Sequence, residues 1–202
     1  QRLGWRVSYV ERYRDAWYDL PADVDALVVL LDTFDLRKLD RPGVTTIAWV
    51  RNWTERWTSH PWFDDFDLVL ASSRTSADLV AETSRHTPVV FPLATNPQRF
   101  TAGEGPRRGA VFTGNYWGKD ARLPELVQAV PGLTVYGKGW DDVPGVGGAW
   151  KGQLPYDELP RVYREALVVV DQAADHTRPY GSVNSRVFDG LAAGALPVTN
   201  QV

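Results

Sequence analysis

The sequence predicts an α/β chain built as two Rossmann-like parallel-sheet domains. Three observations lead there. Short apolar runs rich in β-branched residues alternate with helix-like stretches, the pattern of βαβ units. Several of these runs are apolar throughout, as strands covered on both faces are. The alternation breaks at a polar, Gly- and Pro-containing stretch near the middle of the chain and then restarts.

In the first half, Trp5 to Val10 reads as a strand, and Ala26 to Leu31 as a buried parallel strand followed directly by Asp32. Thr45 to Val50 and Leu68 to Ala71 are the next strands. The hydroxyls of residues 72–76 then cap a helix from Ser76 to Thr83, and Val89 to Phe91 is a fifth strand. Ligands in such sheets gather at the carboxyl ends of strands. Arg51, Asn52, Trp53 and Glu55 leave one of those ends, and Trp53 and Trp57 share a face if both are helical. This is an acceptor or sugar-phosphate surface, or else two core tryptophans with solvated charges between them. Asp32, Glu55 and His60 are the candidate proton acceptors of this half. A lone histidine before a proline is equally an ordinary loop residue.

Residues 1–97 form the first domain, 98–105 the linker and 106–202 the second domain. In the second, Ala110 to Phe112 is a strand that enters the turn Thr113-Gly114-Asn115-Tyr116-Trp117-Gly118, where Gly114 lets the backbone approach a ligand. Lys119 and Arg122 open a helix running to about Val130. Leu133 to Tyr136 is a strand ending in Gly137-Lys138-Gly139, which lacks the third glycine of a dinucleotide fingerprint. Trp150 and Gly152 precede a helix whose Leu159, Val162, Tyr163 and Ala166 fall at helical spacing. Trp150 either stacks on a ligand or packs in the core. Leu167 to Val170 is a strand ending in Asp171. A polar loop holding His176 and Arg178 leads into the last helix.

That helix carries the densest chemistry. Val187, Phe188, Leu191 and Ala192 form its apolar face, Gly194 suits a left-handed stop, and Pro197 cannot continue it. Asn184 and Ser185 sit where caps sit, with free N–H groups behind them. Arg186 adds a fork of donors that matches a phosphate. Asp189, one turn on, can accept hydrogen bonds from a diol. Phosphate donors and a diol acceptor on one helix are what a sugar nucleotide requires.

The 202 residues carry a net charge of −3, giving no electrostatic reason to expect a nucleic-acid partner. With no cysteine there is no disulfide framework or thiolate chemistry, which fits a reducing compartment. The apolar runs are too short to span a bilayer. Three scattered histidines and no cysteine offer no metal-ligand spacing. Nine tryptophans and eight tyrosines build cores and also stack on sugar faces.

The run Asn184-x-Arg186-x-Phe188-Asp189-x-x-Ala192-x-Gly194 resembles the donor-site helix of GT-B glycosyltransferases, in the CgeB-like, "glycosyl transferases group 1" branch. The resemblance covers most of the second half at motif level and the first half in outline. Residues 92–100 are also similar to that family's interdomain crossover. It implies a bacterial, cytoplasmic enzyme, or one peripheral at the inner membrane face. Such an enzyme transfers a sugar from a UDP, GDP or dTDP conjugate to a glycan or other acceptor, without cofactor or metal. In similar enzymes the turn at Gly114 and Asn115, with Lys119 and Arg122 nearby, meets the diphosphate. Trp150 and Gly152, just before the next helix, hold the base, Gly139 is a further donor-binding candidate, Ser185 and Arg186 meet phosphate, and Asp189 holds the ribose. Arg186 would stabilise the leaving group, and Asp32 or His60 would serve an inverting reaction. Gly181 stands where the commoner pattern has its first donor-sugar glutamate. A complete GT-B enzyme is about twice this length, so an incomplete second domain, and further domains in the full-length protein, are expected. A non-catalytic module that binds a glycan or protein, and an epimerase acting on a sugar nucleotide, are the alternative functions.

Overall fold

The structure, a computed structural model, describes residues 3–10, 16–118, 122–173 and 177–200. It divides into two compact units, residues 1–91 and 92–202.

The first unit is a parallel sheet in the order β1 (Ala26–Val29), β2 (Thr45–Val50), β3 (Leu68–Ala71) and β4 (Val89–Val90). Asp67 locks β2 to β3: its Oδ2 accepts from Thr46 N at 2.7 Å and Thr46 Oγ1 at 2.8 Å. These bonds, the backbone one foremost, hold the Asp67 carboxyl below the ordinary range. Helix α1 (Thr54–Ser59) and helix α2 (Arg74–Thr83) cover one face. There Val29, Ala48, Val50 and Val69 pack with Trp57, Phe63 and Phe66. Ser73 caps α2, its hydroxyl accepting from Ser76 N at 3.0 Å. Side chains alternate along a strand, so Val28, Leu30, Leu68 and Val89 point the other way, and all four are exposed. Trp5 to Val10 is no strand: it pairs with neither sheet, and Trp5, Val7 and Tyr9 lie in solvent. Its period-two pattern is strand-like, but a strand needs a hydrogen-bonded neighbour.

The second unit holds β5 (Arg108–Thr113), β6 (Thr134–Tyr136), β7 (Ala166–Asp171) and β8 (Leu196–Thr199), all parallel, in the order β6-β5-β7-β8. After β5 the chain builds β6 on one side and then returns to build β7 on the other. That reversal is a topological switch point at the carboxyl end of β5. Helices α3 (Leu123–Ala129), α4 (Leu159–Glu165) and α5 (Ser185–Ala192) complete the unit. Both sheet faces carry core: Val111 and Val169 pack with Phe100, Tyr163 and Ala195, while Phe112, Val135 and Val170 pack with Leu123, Trp140 and Val146.

Candidate functional site

A cleft of about 250 Å³ opens at the carboxyl ends of β5 and β6. Thr113, Gly114 and Asn115 line it from β5, and Tyr136 and Gly137 from β6. Leu154, Tyr156, Leu159 and Tyr163 line it from α4 and the stretch before it, and Ser185, Arg186 and Asp189 from α5.

The two strand-end turns are braced against each other. Gly114 N donates to Tyr136 O at 2.9 Å, and Gly137 N donates to Gly152 O at 3.0 Å. Gly137 has φ +144°, and a Cβ there would lie 1.9 Å from Gly114 O, so glycine is required. The indole N–H of Trp140 donates to Gly114 O at 2.6 Å and that of Trp150 to Gly137 O at 2.9 Å. Asn115 Oδ1 accepts from Lys138 N at 2.9 Å.

Arg186 is held on two sides. Its Nη1 is 3.3 Å from Asp171 Oδ1, and its guanidinium lies 5.0 Å over the Phe112 ring. Asn184 occupies the N-cap position of α5 in extended backbone, but its side chain does not cap. Its Nδ2 donates instead to Asp171 Oδ1 at 2.9 Å. Asp189 is buried. Burial pushes its carboxyl above the ordinary range, and the Thr95 hydroxyl beside it works in the opposite direction. Tyr163 and Thr113 share a hydroxyl–hydroxyl hydrogen bond in the cleft, and burial raises the Tyr163 phenol.

The fold thus gathers Gly114, Asn115, Ser185, Arg186 and Asp189 into one cleft. Other candidates stand apart from its lining. Trp150 packs with the core around Val135. Gly152, at φ +89°, accepts from Gly137 N. Gly139 is exposed at φ +79°, and Arg122 is exposed at the start of α3. Lys119 and His176 lie outside the described residues. Arg178 begins a 3₁₀ turn that ends at Gly181 with φ +64°. A glutamate at position 181 would be strained in that left-handed conformation.

In the first unit, Asp32 is 4% exposed. Arg56 Nη2 is 2.8 Å and His60 Nε2 3.5 Å from its Oδ2. Neither Asp32 Oδ2 nor His60 Nε2 has an aligned hydrogen bond, and His60 stacks on Trp62 at 4.3 Å. Arg51 Nη2 donates to Leu30 O at 3.4 Å, and burial pulls its guanidinium below the ordinary range. Asn52 and Glu55 are exposed. Contrary to what the four-residue spacing predicts, Trp53 and Trp57 do not share a helical face. Trp53 precedes α1 with φ +49°, the only positive φ outside glycine among the described residues. Its ring carries Arg56 at 4.4 Å, whereas Trp57 is core.

Sequence reasoning misses Asp171, Phe112, Thr113, Tyr163, Tyr136 and Tyr156 as parts of the site. Asp171 alone leaves a signal, a carboxylate ending a run of apolar β-residues at a strand's carboxyl end. Tyr136 reads as the end of a strand and Tyr163 as part of a helix face.

A family model described as "Glycosyl transferase-like" matches residues 118–202. Among solved structures, the chain is similar to a sucrose-phosphate synthase from Thermosynechococcus elongatus, at 13% identity and a TM-score of 0.53 over 78% of this chain and 50% of that one. It is also similar to AviGT4, a glycosyltransferase involved in avilamycin A biosynthesis, at 15% identity and a TM-score of 0.57 over 88% of this chain and 56% of that one. The chain therefore spans about half the length of either structure. No curated protein matches it. These likenesses show the fold, which is that of the GT-B glycosyltransferases. The glycosyl transferase-like match lies in the second unit, over α3 to β8, and includes Ser185, Arg186 and Asp189.

Proposed function

We propose that this chain carries the donor site of a glycosyltransferase that moves a sugar from a nucleoside-diphosphate donor to a glycan, protein or small-molecule acceptor, without a metal ion. The observation that carries the reading is the meeting of Arg186, Asp189 and the Gly114–Asn115 turn in one cleft at a topological switch point. The CgeB-like branch is supported by the Asn184-to-Gly194 run.

In the reaction, the bond from the anomeric carbon to the diphosphate oxygen breaks, and its electron pair goes to the leaving oxygen. Arg186 and backbone N–H groups at the start of α5 and at the Gly114 turn would stabilise that charge. Asp189 would accept from the ribose hydroxyls. The acceptor oxygen bonds the anomeric carbon and gives up its proton. An inverting reaction needs a base for that proton, and Asp32 and His60 are the proposed ones. In a retaining reaction the leaving diphosphate can take it. Among the described residues no helix is long and apolar enough to cross a membrane, and the cytoplasm is the proposed place of action.

One observation favours a second reading, a non-catalytic binding module. Gly181 stands in left-handed backbone where the family's first glutamate would be. Thermal shift with UDP, GDP, dTDP and their sugar conjugates, with and without Mg²⁺, on wild type and Asp189→Ala tests the proposal. A metal-independent, nucleotide-specific shift lost in the variant supports the donor site. Turnover of the sugar conjugate separates the enzyme from the module. A folded protein with no shift for any nucleotide defeats the proposal.

A further inference from the structure

Asp171 is the buried carboxylate paired with Arg186, and the proposed reaction does not use it. It ends β7, and its side chain is completely buried. Three elements converge on it. Asn184 Nδ2, at the start of α5, donates to Oδ1 at 2.9 Å, Thr199 Oγ1, at the end of β8, donates to Oδ2 at 2.8 Å, and Arg186 Nη1 lies 3.3 Å from Oδ1. A buried carboxylate is costly unless paired and hydrogen-bonded, and here it is both. Its surroundings are arranged for it: Asn184 sits at the N-cap position yet turns its amide to Asp171 rather than to the helix.

The arrangement fixes the guanidinium. Asp171 engages one edge and the Phe112 ring one face. Glycine at position 114 leaves room beside Nη2, where a Cβ would come to 3.0 Å. A guanidinium has five N–H donors in a rigid fork, so anchoring one edge aims the rest. We infer that Asp171 is the positioning residue of the anion site, holding the Arg186 fork at the cleft while tying it to β8 through Thr199. The inference rests on the reading of the cleft as a diphosphate site.

A merely structural clamp would bind β7, β8 and α5 together without acting through Arg186. A double-mutant cycle separates the two. Inorganic diphosphate, UDP, GDP and dTDP are titrated calorimetrically into wild type, Asp171→Asn, Arg186→Gln and the double variant. The expected result is a loss of about tenfold for Asp171→Asn, the cost of a misaimed group. In the Arg186→Gln background the same change should have no further effect. Additive losses, or no loss in Asp171→Asn, overturn the inference. Asp171→Ser is read the same way should the asparagine variant not fold. Side-chain ¹⁵N NMR of arginine-labelled protein, with Arg186 assigned through Arg186→Gln, supplies a readout without ligand. Wild type should show slowed guanidinium rotation, and Asp171→Asn should average it. If wild type binds none of the four probes, the diphosphate reading fails, and the NMR comparison still decides. Averaged Arg186 signals in wild type, or unchanged signals in Asp171→Asn, overturn the positioning role.

Discussion

The two units share one βα grammar and put it to different use. Among the described strands, the first unit adds β1 to β4 in a single direction. The second reverses direction at β5 and opens its cleft there. Each unit also buries a carboxylate at or just past a strand end. Asp171 in the second has two aligned donors and an arginine. Asp32 in the first faces Arg56 and His60 with its Oδ2 unaligned to either. The contrast teaches that a strand-end acid becomes an organised site where topology brings a helix start and a second strand end to it. Where it does not, the acid stays a partly satisfied ion pair.

The largest expected effect is on stability. Gly137→Ala drives a Cβ into Gly114 O and should cost about 3 kcal/mol or more, read as a lower urea midpoint. Gly43→Ala in the first unit meets nothing within 4 Å, so it should cost only left-handed strain, about 1–2 kcal/mol. Equal losses would break the claim that the second unit's turns are locked together.

Next comes binding. Arg186→Gln should weaken nucleoside-diphosphate affinity about 100-fold by calorimetry, as expected for removing a charged donor. Arg51→Gln, also at a strand end but in the first unit, should leave that affinity within about twofold, since its guanidinium stacks near Trp49 and donates to Leu30 O.

Acid should separate the units more subtly. Asp189 has a raised carboxyl pKa in the fold. The folded state therefore holds its proton longer than the unfolded chain does. Stability from this group is greatest at low pH and declines as pH rises from the unfolded value to the raised folded one. Asp67 is lowered, so its contribution is present above the unfolded value and is lost as pH falls through the folded one. Urea midpoints across the acid range should therefore show Asp189→Asn and Asp67→Asn moving the pH dependence in opposite senses. The smallest effect is expected of His60→Ala, which should change diphosphate affinity by less than about twofold while lowering turnover if the reaction inverts.

Much of this was legible in the chain. β2 and β3 fall on Thr45–Val50 and Leu68–Ala71, where apolar β-branched runs end sharply, and α5 covers Ser185–Ala192. Its expected apolar face is corrected: Leu191 is exposed, and the helix buries Val187, Asp189 and Gly190. What escaped depends on tertiary partners. Trp5 to Val10 alternates like a strand, but pairing, not pattern, makes one. Trp53 takes a left-handed backbone that its sequence neighbours do not announce. Asn184 sits at the expected N-cap position and spends its amide on Asp171, a residue thirteen positions earlier. No local window links those two, nor Thr113 to Tyr163. The strand-end position of Asp171 was legible, but the partners that draw it into the site were not.

The central claim is that a nucleoside diphosphate binds the second unit's cleft. Hydrogen exchange with and without saturating UDP, GDP or dTDP tests it most directly. The account predicts slowed exchange at residues 113–116, 136–138 and 184–189, with residues 45–60 unchanged. Protection confined to residues 45–60, or tight binding that leaves the Gly114 turn and the start of α5 exchanging as before, would contradict it.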